Sequence, residues 1–190
     1  MIRSLLDNPV DLADVRPLSG FRMIPWSPHL VRDHGKVKYE SFRNEMDAFV
    51  FQCLGQRDGC IRLMKDLAGR ADFVPESTWL ATGPVGPAVK SLPVGTIQGL
   101  RVEQSKQSDD QFSELFPLGS IQNIGLIPSV RGQGLGRVLL NHALAGFQQT
   151  GCKSVSLEVT SQNTAAIRLY LAMQFSISQT VYKVAEIPIA

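Results

Sequence analysis

Residues 124–136 read Ile124-Gly125-Leu126-Ile127-Pro128-Ser129-Val130-Arg131-Gly132-Gln133-Gly134-Leu135-Gly136. The stretch ends an apolar run that begins at Ile121, and that run predicts a strand over 121–127. Beyond it, Leu140, Ala143, Leu144 and Phe147 recur at helical spacing until Gly151, which predicts a helix over 135–149. Three glycines and two arginines, Arg131 and Arg137, therefore stand at a strand-to-helix junction. Glycine lets the backbone adopt positive φ and approach a ligand closely. The free N–H groups of a starting helix point at an anion, and the helix dipole favours its charge. A junction of this composition is a place for a pyrophosphate.

Working outward, residues 154–160 alternate cleanly. Val155, Leu157 and Val159 fall on one face; Ser154, Ser156, Glu158 and Thr160 fall on the other. A helix over 163–173 and a closing strand over 175–186 follow. Upstream, residues 21–26 predict a strand, with Ser27 and Pro28 as a helix start. A long helical region over 29–50 places Tyr39, Phe42 and Met46 together, weakened near its start by Gly35. A second helix over 58–69 groups Ile61, Met64, Leu67 and Ala68. Strands over 78–82 and 94–102 are joined by the turn material Gly83-Pro84-Val85-Gly86-Pro87. Residues 103–118, with Asp109, Asp110 and Glu114, read as a polar surface loop. Residues 1–20 read as a loosely held arm before a single domain over 21–190. Strand and helix alternate through the back half, which points to an α/β, or α+β layered, domain.

The composition bounds the function. The chain has 190 residues, 44% hydrophobic and 19% charged, which fits one globular domain with a real core. A net charge of +2 without a basic run argues against a nucleic-acid partner. The three cysteines, Cys53, Cys60 and Cys152, lack CxxC spacing, so neither a disulfide framework nor a metal site is expected. Reduced thiols fit a cytoplasmic protein. No secretory leader and no bilayer-spanning run is visible, so no membrane partner is expected.

Residues 119–186 resemble the core of the GNAT superfamily of acetyl-CoA-dependent N-acetyltransferases. The 124–136 stretch fits the family's apolar-x-apolar-x-Pro-x-x-Arg-Gly-x-Gly-x-Gly pattern throughout. Glu158-Val159-Thr160-Ser161-Gln162-Asn163-Thr164-Ala165-Ala166 fits a strand that enters a helix through Asn-x-x-Ala. Ile167-Arg168-Leu169-Tyr170, then Phe175, fits the family's Leu-Tyr and Gly-Phe ending, with Gln174 in place of the glycine. The resemblance implies a central mixed, mostly antiparallel twisted sheet flanked by helices, splayed between the fourth and fifth strands. It also implies acetyl-CoA as acyl donor, with direct transfer to an amine and no metal.

Residue roles follow from the same resemblance. Arg131, Gly132, Gln133, Gly134, Leu135 and Gly136 would hold the pyrophosphate, with backbone amides forming the anion nest. The backbones of Ile124, Gly125 and Leu126 would meet the pantetheine arm and polarise the thioester carbonyl. Asn163 would contact the same arm, although a helix cap alone also accounts for it. Tyr170 would protonate the departing thiolate, although a core tyrosine is the alternative. Many relatives carry a glutamate base in the strand before the glycine loop, where this chain has Gln122-Asn123. Glu158 is the base candidate on the next strand, with Glu114, Asp109, Asp110, Glu40 and Glu45 as others. The acceptor is a small-molecule or peptide amine, and a homodimer through edge strands stays open. The missing carboxylate keeps a second reading in play: a non-catalytic module that binds and senses acyl-CoA.

Overall fold

Alternating apolar residues pair into one six-stranded sheet in a computed structural model that describes residues 1–15, 18–85, 88–102 and 117–183. The strands are β1 (Ile2–Ser4), β2 (Arg22–Pro25), β3 (Phe73–Val85), β4 (Ala88–Val102), β5 (Leu118–Leu126) and β6 (Ser154–Leu157). Their order is β1-β6-β5-β4-β3-β2. Every neighbouring pair is antiparallel except β5 and β6, which run parallel. Among the described residues the helices are α1 (Val31–Phe42), α2 (Asp47–Val50), α3 (Arg57–Ala68), α4 (Leu135–Gln149) and α5 (Thr164–Ala172). The mixed, helix-flanked sheet is the one expected.

The two faces of the sheet are covered differently. Phe147 of α4 lies over Gly99 and Gly119, where an added Cβ would come within 2.5 and 2.7 Å of its ring. On the opposite face α1 lies over Gly125, where a Cβ would meet Ser41 and Phe42 at 2.8 Å. Gly35 has a use that its helix propensity hides. A Cβ there would sit 2.7 Å from Ile61 Cα, so glycine lets α1 and α3 cross closely.

One extra residue sits in β5. Gln98 pairs with Asn123 but Gly99 pairs with Ile121, which leaves Gln122 as a β-bulge. Before the bulge, Gly119 faces α4; after it, Asn123 and Gly125 face α1. The parallel pairing of β5 with β6 stops one residue earlier, at Ile121 and Leu157. Past that point the strands part, which is the expected splay; with β1 counted, the fourth and fifth strands of the sequence reading become β5 and β6.

Several boundaries differ from the sequence reading. The opening residues are not a loose arm: Ile2–Ser4 forms β1, Arg3 and Leu5 are buried, and Arg3 Nη1 donates to the Met173 carbonyl at 2.7 Å. The helical region over 29–50 breaks after Phe42, because Arg131 Nη2 donates to the Ser41 carbonyl and caps α1. β3 runs through Gly83 and Pro84 to Val85 and β4 starts at Ala88, so both strands are longer than the sequence suggests. Among the described residues, up to Lys183, the closing strand reduces to one bridge, Ser176 to Ile2, because β1 already occupies the place beside β6. The loop carrying Asp109, Asp110 and Glu114 lies outside the described residues, as do 86–87 and 184–190. Among the described residues no helix is long and apolar enough to cross a membrane.

Candidate active site

The splay leaves one edge of β5 open. Ile127 N–H donates to the Val94 carbonyl of β4 at 3.0 Å, so by strand alternation the backbone groups of Leu126 and Ile124 point away from β4. Gly125, between them, faces β4 and lets α1 approach. The Leu126 carbonyl accepts from Arg131 Nε at 3.0 Å. Ile124 thus presents its peptide groups to the gap between β5 and β6.

The glycine loop turns from this edge into α4. Gly132 and Gly134 have φ of +77° and +86°, which only glycine adopts without strain. An added Cβ at either would meet nothing within 4 Å, so the loop is open on its outer side. Among the described residues, no group accepts a hydrogen bond from the N–H groups of 132–136. Gly134 is the N-cap of a fifteen-residue helix and supplies no side chain to satisfy them. Free donors at the positive end of a helix suit a phosphate.

Arg131 has a different placement from the one expected. Its guanidinium donates to Glu45 Oε1 at 2.6 Å, to the Ser41 carbonyl at 2.8 Å and to the Leu126 carbonyl. It clamps the end of α1 onto the end of β5 instead of facing the open loop. Arg137, exposed on the first turn of α4, has no ion-pair partner among the described residues and is the free cation there. Gln133 Nε2 reaches back to the Ser129 carbonyl at 3.4 Å.

A cleft of about 220 Å³ opens where α2 meets the start of α5, lined in part by Glu45, Asp47, Thr160 and Asn163. Asn163 caps α5, its side chain accepting from Ala166 N–H at 3.1 Å. Asp47 accepts from Thr160 Oγ1 at 3.0 Å. Tyr170 is the one buried residue of α5, with its ring 5.9 Å from that of Phe175. Burial, and then the nearby Asp47 charge, push the Tyr170 phenol well above its ordinary range. It stays protonated and can donate.

Glu158 lies elsewhere. Its side chain is 74% exposed, pairs with Lys183, and does not line the cleft. Gln122 is exposed at the bulge and donates to Ser120 Oγ at 3.1 Å. Asn123 points under α1, where its Oδ1 accepts from Lys38 Nζ at 2.7 Å. Lys38 also donates to Gln98 Oε1 at 2.7 Å, and Gln98 Nε2 donates to Thr96 Oγ1. Thr96 hydroxyl bonds His34 Nδ1 at 2.7 Å. His34, Lys38, Thr96 and Gln98 are all buried.

Sequence reasoning passed over this layer. Its signal was present: His34, Lys38 and Ser41 recur at helical spacing, opposite Thr96 and Gln98 at strand spacing. A polar helix stripe that matches a polar strand stripe marks a buried network.

Comparison with known proteins agrees with this geometry. The sequence model of the Acetyltransferase (GNAT) family matches residues 62–175, more than half of the chain. The mycothiol acetyltransferase of Thermobispora bispora is 42% identical over 60 residues, 32% of this chain and 20% of that protein. The [Ribosomal protein bS18]-alanine N-acetyltransferase of Escherichia coli is 41% identical over 54 residues, 28% of this chain and 36% of that protein. The chain thus spans only about a fifth to a third of these relatives. Among solved structures, aminoglycoside N-acetyltransferase AAC(6')-Iy in complex with CoA superposes with a TM-score of 0.61 at 11% identity, covering 88% of this chain and 96% of that one. That likeness is one of fold. With the open β5 edge, the glycine loop and the family match in agreement, the chain belongs to the GNAT family of acetyltransferases.

Proposed function

We propose that this chain transfers an acetyl group from acetyl-CoA to an amine acceptor in the gap between β5 and β6. The observation that carries the reading is the row of unpartnered N–H groups over 132–136, at the start of α4 and next to the open edge of Ile124. The loop donors and Arg137 hold the pyrophosphate. The Ile124 backbone aligns the pantetheine arm, and its N–H faces the developing oxyanion. Asn163 uses its carbonyl oxygen as the cap of α5 and keeps its amide N–H groups for the arm. Tyr170 donates the proton that the departing sulfur takes up. Arg131 braces the site through α1, and Glu158 is left to its surface pair with Lys183.

The acceptor is a small-molecule or peptide amine, met on the side of α1 and α2, and the protein works in the cytoplasm with its cysteines free. Thermal unfolding with acetyl-CoA, CoA and ATP tests the cofactor site. A rise in Tm with the first two and not with ATP is expected, because a ligand that binds only the native state stabilises it. No rise at saturating acetyl-CoA would remove the reading. The amides at Gln122 and Asn123 favour a second reading, an acyl-CoA sensor without turnover. A rise in Tm with no thiol release across a panel of amines would favour that one.

A further inference from the structure

An amine reaches a site at neutral pH mostly as its ammonium ion and must lose a proton before it can attack. At the bulge, where a base would serve that step, the chain carries Gln122 and Asn123, and neither amide is a base. We propose that Lys38 fills this role: buried beneath Asn123 and, among the described residues, bonded only to amide oxygens, its Nζ holds the lone pair that receives the amine's proton through solvent at Asn123. Lys38 acts through that bridge and does not touch the acceptor, so it is a positioning and proton-holding residue. The inference rests on the acetyl-transfer reading above.

The bonding pattern identifies the neutral form. Lys38 Nζ donates to Gln98 Oε1 and to Asn123 Oδ1, each at 2.7 Å. A neutral amine has two N–H groups, which these two oxygens satisfy, and one lone pair left over. A protonated amine would bury a third N–H with no acceptor among the described residues. Among them, too, no carboxylate lies within 4.0 Å of Nζ to hold a positive charge. The groups that face Lys38 are His34 on α1, Cys60 on α3, Cys53 on the turn before α3, Gln98 on β4 and Asn123 on β5.

Two of these neighbours, His34 and Cys60, are neutral at neutral pH. Lysine can only donate to a side-chain amide, so it sets the orientation of both amides. Gln98 then donates to Thr96, whose hydroxyl is hydrogen-bonded to His34 Nδ1. The buried His34 Nε2 has no hydrogen-bond partner among the described residues. Burial, and then the charge of Lys38, hold His34 down to about 3, so it stays neutral and does not compete for the proton. Burial pushes the Cys60 thiol up to about 11, so it offers no negative charge at neutral pH. Burial likewise brings Lys38 itself down to about 7. A proton acceptor near the working pH is the efficient kind.

The bulge supplies the route. Asn123 is half-buried and precedes Ile124, whose backbone lines the splay. It covers Lys38 on one side and borders the open edge on the other. Gln122 is the extra residue, and Asn123 after it stands in register with Gln98, on the side of the sheet that Lys38 covers.

The proton count closes. One N–H bond of the ammonium breaks, and its proton passes through water to the Lys38 lone pair, giving –NH3+. The amine keeps the electron pair and forms the new C–N bond. The C–S bond breaks, and sulfur leaves with its pair and takes the Tyr170 proton. Tyr170 recovers a proton from the amide nitrogen, and Lys38 returns its own to solvent.

The test follows the Lys38 Cε signal in full-length protein with 13C-labelled lysine, from about pH 5 to 11, with Lys38→Met to assign it. Thiol release from acetyl-CoA is measured across the same range with a polyamine, an aminoglycoside and an alanyl peptide as acceptors. Wild type is expected to titrate near 7, with kcat/KM falling on the acid side in step. Lys38→Met is expected to lower kcat/KM at least roughly tenfold and to flatten that limb, with acetyl-CoA affinity kept within about twofold. Lys38→Gln, which can still donate to one amide oxygen, replaces it if Met prevents folding. A Lys38 midpoint close to the ordinary 10.5 overturns the proposal whether or not any amine is accepted. An acid limb that survives in both variants overturns it too. Failure of wild type to bind acetyl-CoA is read separately, because it removes the acetyl-transfer reading itself.

Discussion

The two faces of the sheet hold their helices by opposite means. Against α4 the contact is apolar: Leu139, Leu140, Leu144 and Phe147 are fully buried, and glycines in β4 and β5 make room for the Phe147 ring. Against α1 the buried layer is polar: His34, Thr96, Gln98 and Lys38 are bonded in series, and Ser41 beside them donates to the Val37 carbonyl of its own helix. The apolar face sets the fold and aims the start of α4 at the glycine loop. The polar face costs stability through desolvation and makes its hydrogen bonds in a place where they orient side chains for chemistry. On the proposed function, the donor half of the site is built on generic packing and the acceptor half on specific bonding.

Substitutions can break this division, beginning with the largest expected effect. Gly134→Asp places a carboxylate in the anion nest and a side chain at φ of +86°, and should weaken acetyl-CoA binding at least roughly 100-fold, read by calorimetry. The polar face should be untouched, so a Lys38 titration that moves in this variant would show the halves to be coupled. Tyr170→Phe keeps the packing against Phe175 and removes the donor. Turnover should fall by about 10² with acetyl-CoA affinity nearly unchanged. Equal loss of both would make Tyr170 a core residue only.

The next effect is on stability. Lys38 is held down to about 7 when folded, from an ordinary 10.5, so between those values the unfolded chain binds a proton that the folded chain does not. Stability should therefore rise with pH across that window, by up to about 1.4 kcal/mol per unit, and the penalty is complete below about 7. Urea unfolding at about pH 7.5 and 9.5 should show a gain of about 2 kcal/mol in wild type that Lys38→Met lacks. An identical gain in the variant would place the titration elsewhere. The smallest effect belongs to Glu45→Gln. Glu45 and Arg131 are each about two-fifths exposed, so loss of their pair should cost only about 0.5 kcal/mol of stability. A larger cost would mean that the clamp between α1 and β5 carries more of the acceptor half than its exposure suggests.

How much of this was legible in the sequence follows the same division. The α4 helix falls on its predicted residues, because a clean apolar period and a stop glycine encode it locally. The glycine loop and the Asn163 cap are equally local and were read correctly as elements. Arg131 carried the right motif, but its side chain turned toward Ser41 and Glu45, some ninety residues away in sequence, and no local pattern shows that. Glu158 alternates like a cleft residue, yet the splay and Lys183 put it in solvent. The opening residues read as a loosely held arm because three residues are too few to show a strand period; pairing with β6 supplies the order that their own pattern lacks.

The bulge at Gln122 also divides β5 into two halves of opposite parity. Up to Ile121 the odd-numbered residues meet α4; from Ile124 on, the even-numbered ones do. A scan of substitutions along this strand would show the tolerant and intolerant positions exchange places at one residue. Deleting that residue would restore a single parity along one uninterrupted strand and leave the four residues that border the splay on the faces they already occupy.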